Sequence, residues 1–195
     1  PAARMNFDRF VKIIVHLPDL ESRSCSAARF AGAILLSSGD DTMLAMAESL
    51  VHECGHQALY CVMELEPLIC DAGQRSFTLP WSGSQRDAYG YFHAAYIYLL
   101  LALFYERVVN SGRDDQADAQ ERLAAILAGL DRALCDFANA DFFTEAGKAF
   151  FNRLANQSVT VIERNHHRSA EALQSGKRHG SQGNAADAEY AAAAS

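Results

Sequence analysis

At 195 residues, half of them hydrophobic, the chain is long enough to bury one sizeable core. Its formal net charge is -7, its pI is about 5.4, and the one basic cluster is the short stretch from Arg164 to Arg168. That balance argues against a nucleic-acid surface and favours a peptide or a small molecule as partner. Five cysteines, Cys25, Cys54, Cys61, Cys70 and Cys135, are odd in number, scattered and mostly in apolar surroundings, the pattern of reduced thiols in a cytoplasmic protein.

No signal peptide is evident, and the chain begins at Pro1 without an initiator Met, so its N-terminus reads as trimmed or processed. Two short β-branched and apolar runs follow, Phe10 to Leu17 and Phe30 to Ser37, bounded by Pro18-Asp19 and by Ser38-Gly39-Asp40-Asp41. Both are expected to be strands. Asp41-Thr42 offers an N-cap for a helix over about 42–65 that stops before Pro67. Residues 67–85, with Gly73, Pro80, Trp81 and Gly83, are expected to be a loop.

A second helix is expected over about 86–110, closed by Asn110-Ser111-Gly112. It contains the most apolar stretch of the chain, Ala94 to Phe104, which falls well short of the roughly 20 residues that span a bilayer and suits a buried core helix. Leu123, Ile126, Leu127, Leu130, Leu134 and Phe137 recur at helical spacing and predict an amphipathic helix over 114–138. Another helix begins near Phe143-Thr144-Glu145 and carries Phe150, Phe151, Leu154, Val159 and Ile162 to about residue 165. The expected class is α+β and mostly helical: short N-terminal strands, then a metal-binding helix and a bundle of long helices. One domain is expected over 1–175, with the Gly-, Ser-, Asn- and Ala-rich residues 176–195 as a weakly ordered tail. No membrane partner is expected, and a homo-oligomer stays open.

The chemistry is concentrated in Leu50-Val51-His52-Glu53-Cys54-Gly55-His56, which contains an H-E-x-x-H pentad. Positions i and i+4 share a helix face, so His52 and His56 can converge on one metal ion with Glu53 beside them. Three fixed positions also arise by chance on solvated helices. Here the flanking residues Met43 to Val51 and Ala58 to Met63 are largely apolar, and buried imidazoles without partners would cost about 1 to 3 kcal/mol each. Cys54 points away from the shared face and suits core packing.

Two imidazoles are half a site. A metzincin would continue with a glycine and a third histidine where this chain has Leu59 and Val62, which excludes that class. Glu106 is one candidate for the third ligand, while Glu64 and Glu66 lie too close in sequence to fold back easily. The favoured donor is His93, alone on the apolar second helix, where two other histidines need a third. Three neutral imidazoles suit zinc or iron(II), and spacing does not choose between them. His16, His166, His167 and His179 read as structural or solvated.

A wider set of residues carries a family resemblance. The Leu-Val-His-Glu approach to His56, Pro67-Leu68, Pro80-Trp81, Arg86 five residues after that tryptophan, then Gly90, His93 and Tyr96, with Phe143-Thr144 and Gly147 later, resembles a known family across roughly residues 30–155. It is the family of HExxH peptide-modification proteins of ribosomal-peptide gene clusters, viewed as α-ketoglutarate-dependent HExxH-type peptide β-hydroxylases. The resemblance implies that His52, His56 and His93 bind iron(II), that Arg86 holds the distal carboxylate of α-ketoglutarate, and that O2 is co-substrate. It further implies a precursor peptide as substrate, and Glu53 as a group that orients a ligand or a water. One position departs: the family has arginine immediately after the tryptophan, and this chain has Ser82, so no second anion contact carries over there. A guanidinium forks onto a carboxylate, which suits Arg86; its alternative role is an ion pair with Asp87, Glu64 or Glu66.

Two rivals follow from the pentad. In a zinc metallopeptidase Glu53 would be the general base that activates a metal-bound water. In a non-catalytic peptide-binding domain the metal would only stabilise the fold. Trp81 would either line the substrate cleft or anchor its own loop.

Overall fold

The computed structural model describes residues 7–18, 22–37, 42–70, 75–112 and 116–192; beyond Arg168, only Ala170 and Glu171 have described side chains. The architecture is α+β and mostly helical. Strands β1 (Ile13–His16), β2 (Ser24–Cys25) and β3 (Ala33–Leu36) form one sheet in the order β1-β3-β2. β1 runs parallel to β3 with Ile13 opposite Ala33, and β2 runs antiparallel to it with Cys25 opposite Leu35. The two expected strands are present but shorter, and β2 was not anticipated, because two residues are too few to show alternation.

Helix α1 (Met43–Leu65) starts where the cap residue places it: Thr42 is extended, and its hydroxyl accepts a 3.1 Å bond from the Ala45 amide. It ends at Glu66, before Pro67. The expected loop over 67–85 holds more order than its turn residues suggested. β4 (Ser76–Thr78) pairs antiparallel with β5 (Gln85–Asp87) across the Pro80 to Gly83 turn, with Phe77 opposite Arg86. Arg86 therefore lies on a strand, correcting its expected place in the second helix. That helix, α2 (Ala88–Val109), is N-capped by Asp87, which accepts a 2.7 Å bond from the Gly90 amide.

Helix α2 is the axis of the core, with Tyr91, Phe92, Ile97, Leu101 and Ala102 wholly buried. It is long and apolar enough to cross a membrane by length and composition, yet more than half of its most apolar stretch is buried inside the fold, as in a core helix. α3 (Gln116–Phe137) packs on it through Leu123, Ile126, Leu130 and Phe137, as their spacing predicted. Phe77, Tyr91 and Phe137 join in an aromatic cluster, with Phe77 stacked on Tyr91 at 5.0 Å. Trp81 anchors its loop: its indole stacks on Tyr98 at 3.9 Å and donates to the Ile126 carbonyl at 3.2 Å.

The last helix, α4 (Glu145–Ala192), begins with a lock on the Pro67-Leu68 segment. The Thr144 amide donates to the Leu68 carbonyl, and its hydroxyl donates to the Pro67 carbonyl and accepts from the Gly147 amide. Any Cβ on Gly147 would collide with that Leu68 carbonyl. The backbone of α4 continues past residue 165 and through most of 176–195; no proline follows Pro80 to stop it. The chain divides into two compact units, Pro1–Ser158 and Val159–Ser195.

Gly129 of α3 faces the Trp81 indole, and a Cβ there would collide with Nε1. Gly129→Ala should therefore lower stability by about 1 to 3 kcal/mol. Because Trp81 is the only tryptophan, the same variant should red-shift the intrinsic fluorescence; an unmoved spectrum and an unchanged denaturation midpoint would contradict this packing.

Candidate metal centre

The face of α1 that carries the pentad is a stripe at helical spacing: Glu48, His52, His56, Tyr60 and Met63. α2 runs antiparallel to it, since Tyr105 reaches Glu48 at one end and His93 reaches Met63 at the other. This arrangement brings His93 to the two pentad histidines. The Nε2 atoms of His52 and His56 are 3.2 Å apart, and Nδ1 of His93 is 3.5 Å from Nδ1 of His56. The other ring nitrogen of His93 faces the Met63 sulfur at 3.2 Å.

Burial keeps these imidazoles neutral. It pushes the His56 pKa down to about 3, helped by the neighbouring charges of His52 and His93. Burial also takes His93 down to about 4, against the opposing pull of Asp87. His52 is lowered by burial too, while the Glu53 and Glu48 carboxylates oppose the shift. Neutral imidazole is the metal-binding form.

Two nitrogens on one metal at about 2.0 to 2.1 Å stand roughly 3 Å apart, so the 3.2 Å edge between His52 and His56 fits a chelate as well as an N–H···N hydrogen bond. His93 is beside this edge but not turned onto it, because His56 presents one ring nitrogen to each neighbour. Among the described residues, no three His, Cys, Asp or Glu side chains are already gathered around one point. The donors themselves, a buried and two half-buried neutral imidazoles, fit an imidazole-preferring divalent metal, and the ring torsion that would turn them is a soft one.

Glu53 points to the opposite side of the pentad, into the sheet. It is only 3% exposed, and its two carboxylate oxygens accept from the Ser24 hydroxyl at 2.7 Å and the Ser26 hydroxyl at 2.5 Å. One turn on, Gln57 accepts from the Gly32 amide at 2.8 Å and donates to the Ala33 carbonyl at 3.1 Å. Cys54 packs with Val11 and Ile34, the core role expected of it.

Arg86 is exposed on β5, donating to the Gln85 carbonyl at 3.0 Å. Among the described residues it forms no ion pair with Asp87, Glu64 or Glu66. Glu106 is buried on α2 thirteen residues beyond His93, roughly 20 Å along the helix, too far to complete the set. His16, His166 and His167 are exposed, and the side chain of His179 lies outside the described residues.

Sequence reasoning missed an ion pair beside His52. Arg122 donates to Glu48 at 2.6 Å, and the Tyr105 hydroxyl donates to its other oxygen at 2.6 Å. Burial would raise the Glu48 pKa, but those two hydrogen bonds and the Arg122 charge bring it below its usual value. Extending the i, i+4 spacing one turn back from His52 would have found Glu48, and one turn forward from His56 would have found Tyr60. Tyr60, Met63 and Tyr89 line a cavity of about 230 Å3, and the rings of Tyr60 and Tyr89 lie 5.4 Å and 4.3 Å from the His93 ring.

No family model matches the chain, and no curated protein matches it in sequence.

Unfolded histidine titrates near 6.5, above the folded values of about 3 and about 4, so between these limits the unfolded chain binds more protons. Metal-free protein should thus be most stable above pH 6.5 and lose stability as the pH falls below it. Urea midpoints at pH 7.5 and 4.5 measure this, and His56→Asn should reduce the difference between them. Separately, Ser24→Ala with Ser26→Ala strips both hydrogen bonds from a buried carboxylate. The pair should cost on the order of 2 to 6 kcal/mol in chemical denaturation.

Proposed function

We propose that the chain is an iron(II)- and α-ketoglutarate-dependent oxygenase that hydroxylates the β-carbon of a side chain in a ribosomally synthesised precursor peptide. The carrying observation is the way the structure divides the pentad. Its two histidines meet edge to edge with His93 beside His56, all three neutral, while its glutamate is committed to two serine hydroxyls on the other side. A peptidase general base needs an oxygen aimed at the metal-bound water, and both Glu53 oxygens are turned to Ser24 and Ser26 instead. This favours the oxygenase over the zinc metallopeptidase, and it gives Glu53 a positioning role.

In this reading His52, His56 and His93 hold the metal. With α-ketoglutarate and O2, iron(II) supplies the oxidation that turns C–H into C–OH and releases succinate and CO2. Glu53 and its serines fix the helix backbone between the two pentad histidines, so their separation is set before any ligand arrives. Arg86 offers a guanidinium with no carboxylate partner among the described residues, suited to the distal carboxylate of α-ketoglutarate. Tyr60, Met63 and Tyr89 wall the approach to His93 and limit the access of water. Five free cysteines fit a cytoplasmic setting, where thiols stay reduced.

The test is an anaerobic titration of the purified chain with iron(II) and then α-ketoglutarate, read by the visible charge-transfer band of a chelated keto acid. The band should be lost in His93→Ala, weakened in Arg86→Ala and retained in Glu53→Gln. Tightly held zinc with no band, together with peptide cleavage abolished by Glu53→Gln, would overturn the proposal in favour of the peptidase.

A further inference from the structure

The cavity beside His93 has a chemical character of its own. Ala28, Pro67 and Ile69 close its sides around the two tyrosines and Met63, and among the described residues Glu64 is its one charged lining residue. Glu64 pairs with no Lys, Arg or His among the described residues. It also sits in the last turn of α1, which carries no basic residue, where the helix carbonyls add roughly half a negative charge. The aromatic faces of Tyr60 and Tyr89 present further negative potential, and the thioether of Met63 is soft and adaptable. A negative end beside apolar and aromatic walls suits a side chain with an aliphatic stem and a positive tip.

We propose that this cavity receives a lysine- or arginine-class side chain of the substrate peptide, its stem along Tyr60, Met63 and Tyr89 and its cation against Glu64. The inference deepens the oxygenase reading and rests on it for the peptide's fate, but the recognition it describes needs no metal. Acidic side chains would meet Glu64 and the helix end as like charges and be rejected. Neutral aliphatic chains of the same length would keep the wall contacts and lose the charge contacts.

Binding of blocked pentapeptides tests it. Acetyl-Gly-Gly-X-Gly-Gly-amide, with X as lysine, arginine, norleucine or glutamate, is titrated into the purified chain while the ring signals of Tyr60 and Tyr89 are followed by NMR. Lysine and arginine peptides should bind about tenfold or more tighter than norleucine, the combined scale of one ion pair and one cation–π contact. The glutamate peptide should be weakest. Glu64→Gln should cut the lysine preference over norleucine to about threefold, since the ion pair is removed and the cation–π contact stays. Equal affinity for lysine and norleucine, an undiminished lysine preference in Glu64→Gln, or no ring shift with the lysine peptide at about 10 mM, far above any useful affinity, would overturn it. The iron titration of the wild-type chain decides the oxygenase reading independently of these outcomes.

Discussion

The polar clamp between α1 and the sheet is the constraint on which the site depends. Glu53 and Gln57, one turn apart, reach Ser24, Ser26, Gly32 and Ala33 across a sequence separation of more than twenty residues. Both side chains are almost fully buried, so each must find its partners or cost the fold 1 to 3 kcal/mol, roughly, per unmet group. Satisfying them fixes both the rotation and the height of the helix. His52 and His56, one residue before each clamp residue, are thereby turned toward α2.

With that orientation set, the other faces of α1 follow. Cys54 joins the cluster around Val11 and Ile34, and Gly55 admits Ile97 and Leu100 of α2 so closely that a Cβ would stand 2.7 Å from each. This close approach lets α2 deliver His93 to the pentad. At the opposite end of the stripe, Glu48, Arg122 and Tyr105 join α1, α3 and α2 in one hydrogen-bonded network. The histidines therefore sit between two fixed polar anchors, in a setting dry enough to keep them neutral.

Helix α1 was legible almost to the residue, because Thr42 supplies a cap and Pro67 a stop. α2 was displaced at its start, because Gln85 to Asp87 form a strand whose three residues are all exposed and show no alternation. The β4 segment was hidden by the proline and glycine of the turn beside it. That His93 comes to lie beside the pentad could be expected from a lone histidine on an apolar helix. The serine partners of Glu53 could not, since they depend on a strand too short to announce itself. Ring orientation was equally unreadable: whether His56 offers its nitrogens to one metal or to two neighbours depends on side-chain torsions that no sequence pattern encodes.

The motif segments also meet in space. Pro67-Leu68 is locked to Thr144 and Gly147 at the start of α4, and Trp81 is stacked on Tyr98, which follows His93 on α2. Under the proposed function His52, His56 and His93 are ligands of one metal. Cobalt(II) substitution tests it directly, because each coordinated imidazole with a free ring N–H contributes a strongly shifted, exchangeable proton signal. Three such signals are predicted, with one lost in each of His52→Ala, His56→Ala and His93→Ala. Two signals, both unchanged in His93→Ala, would contradict it.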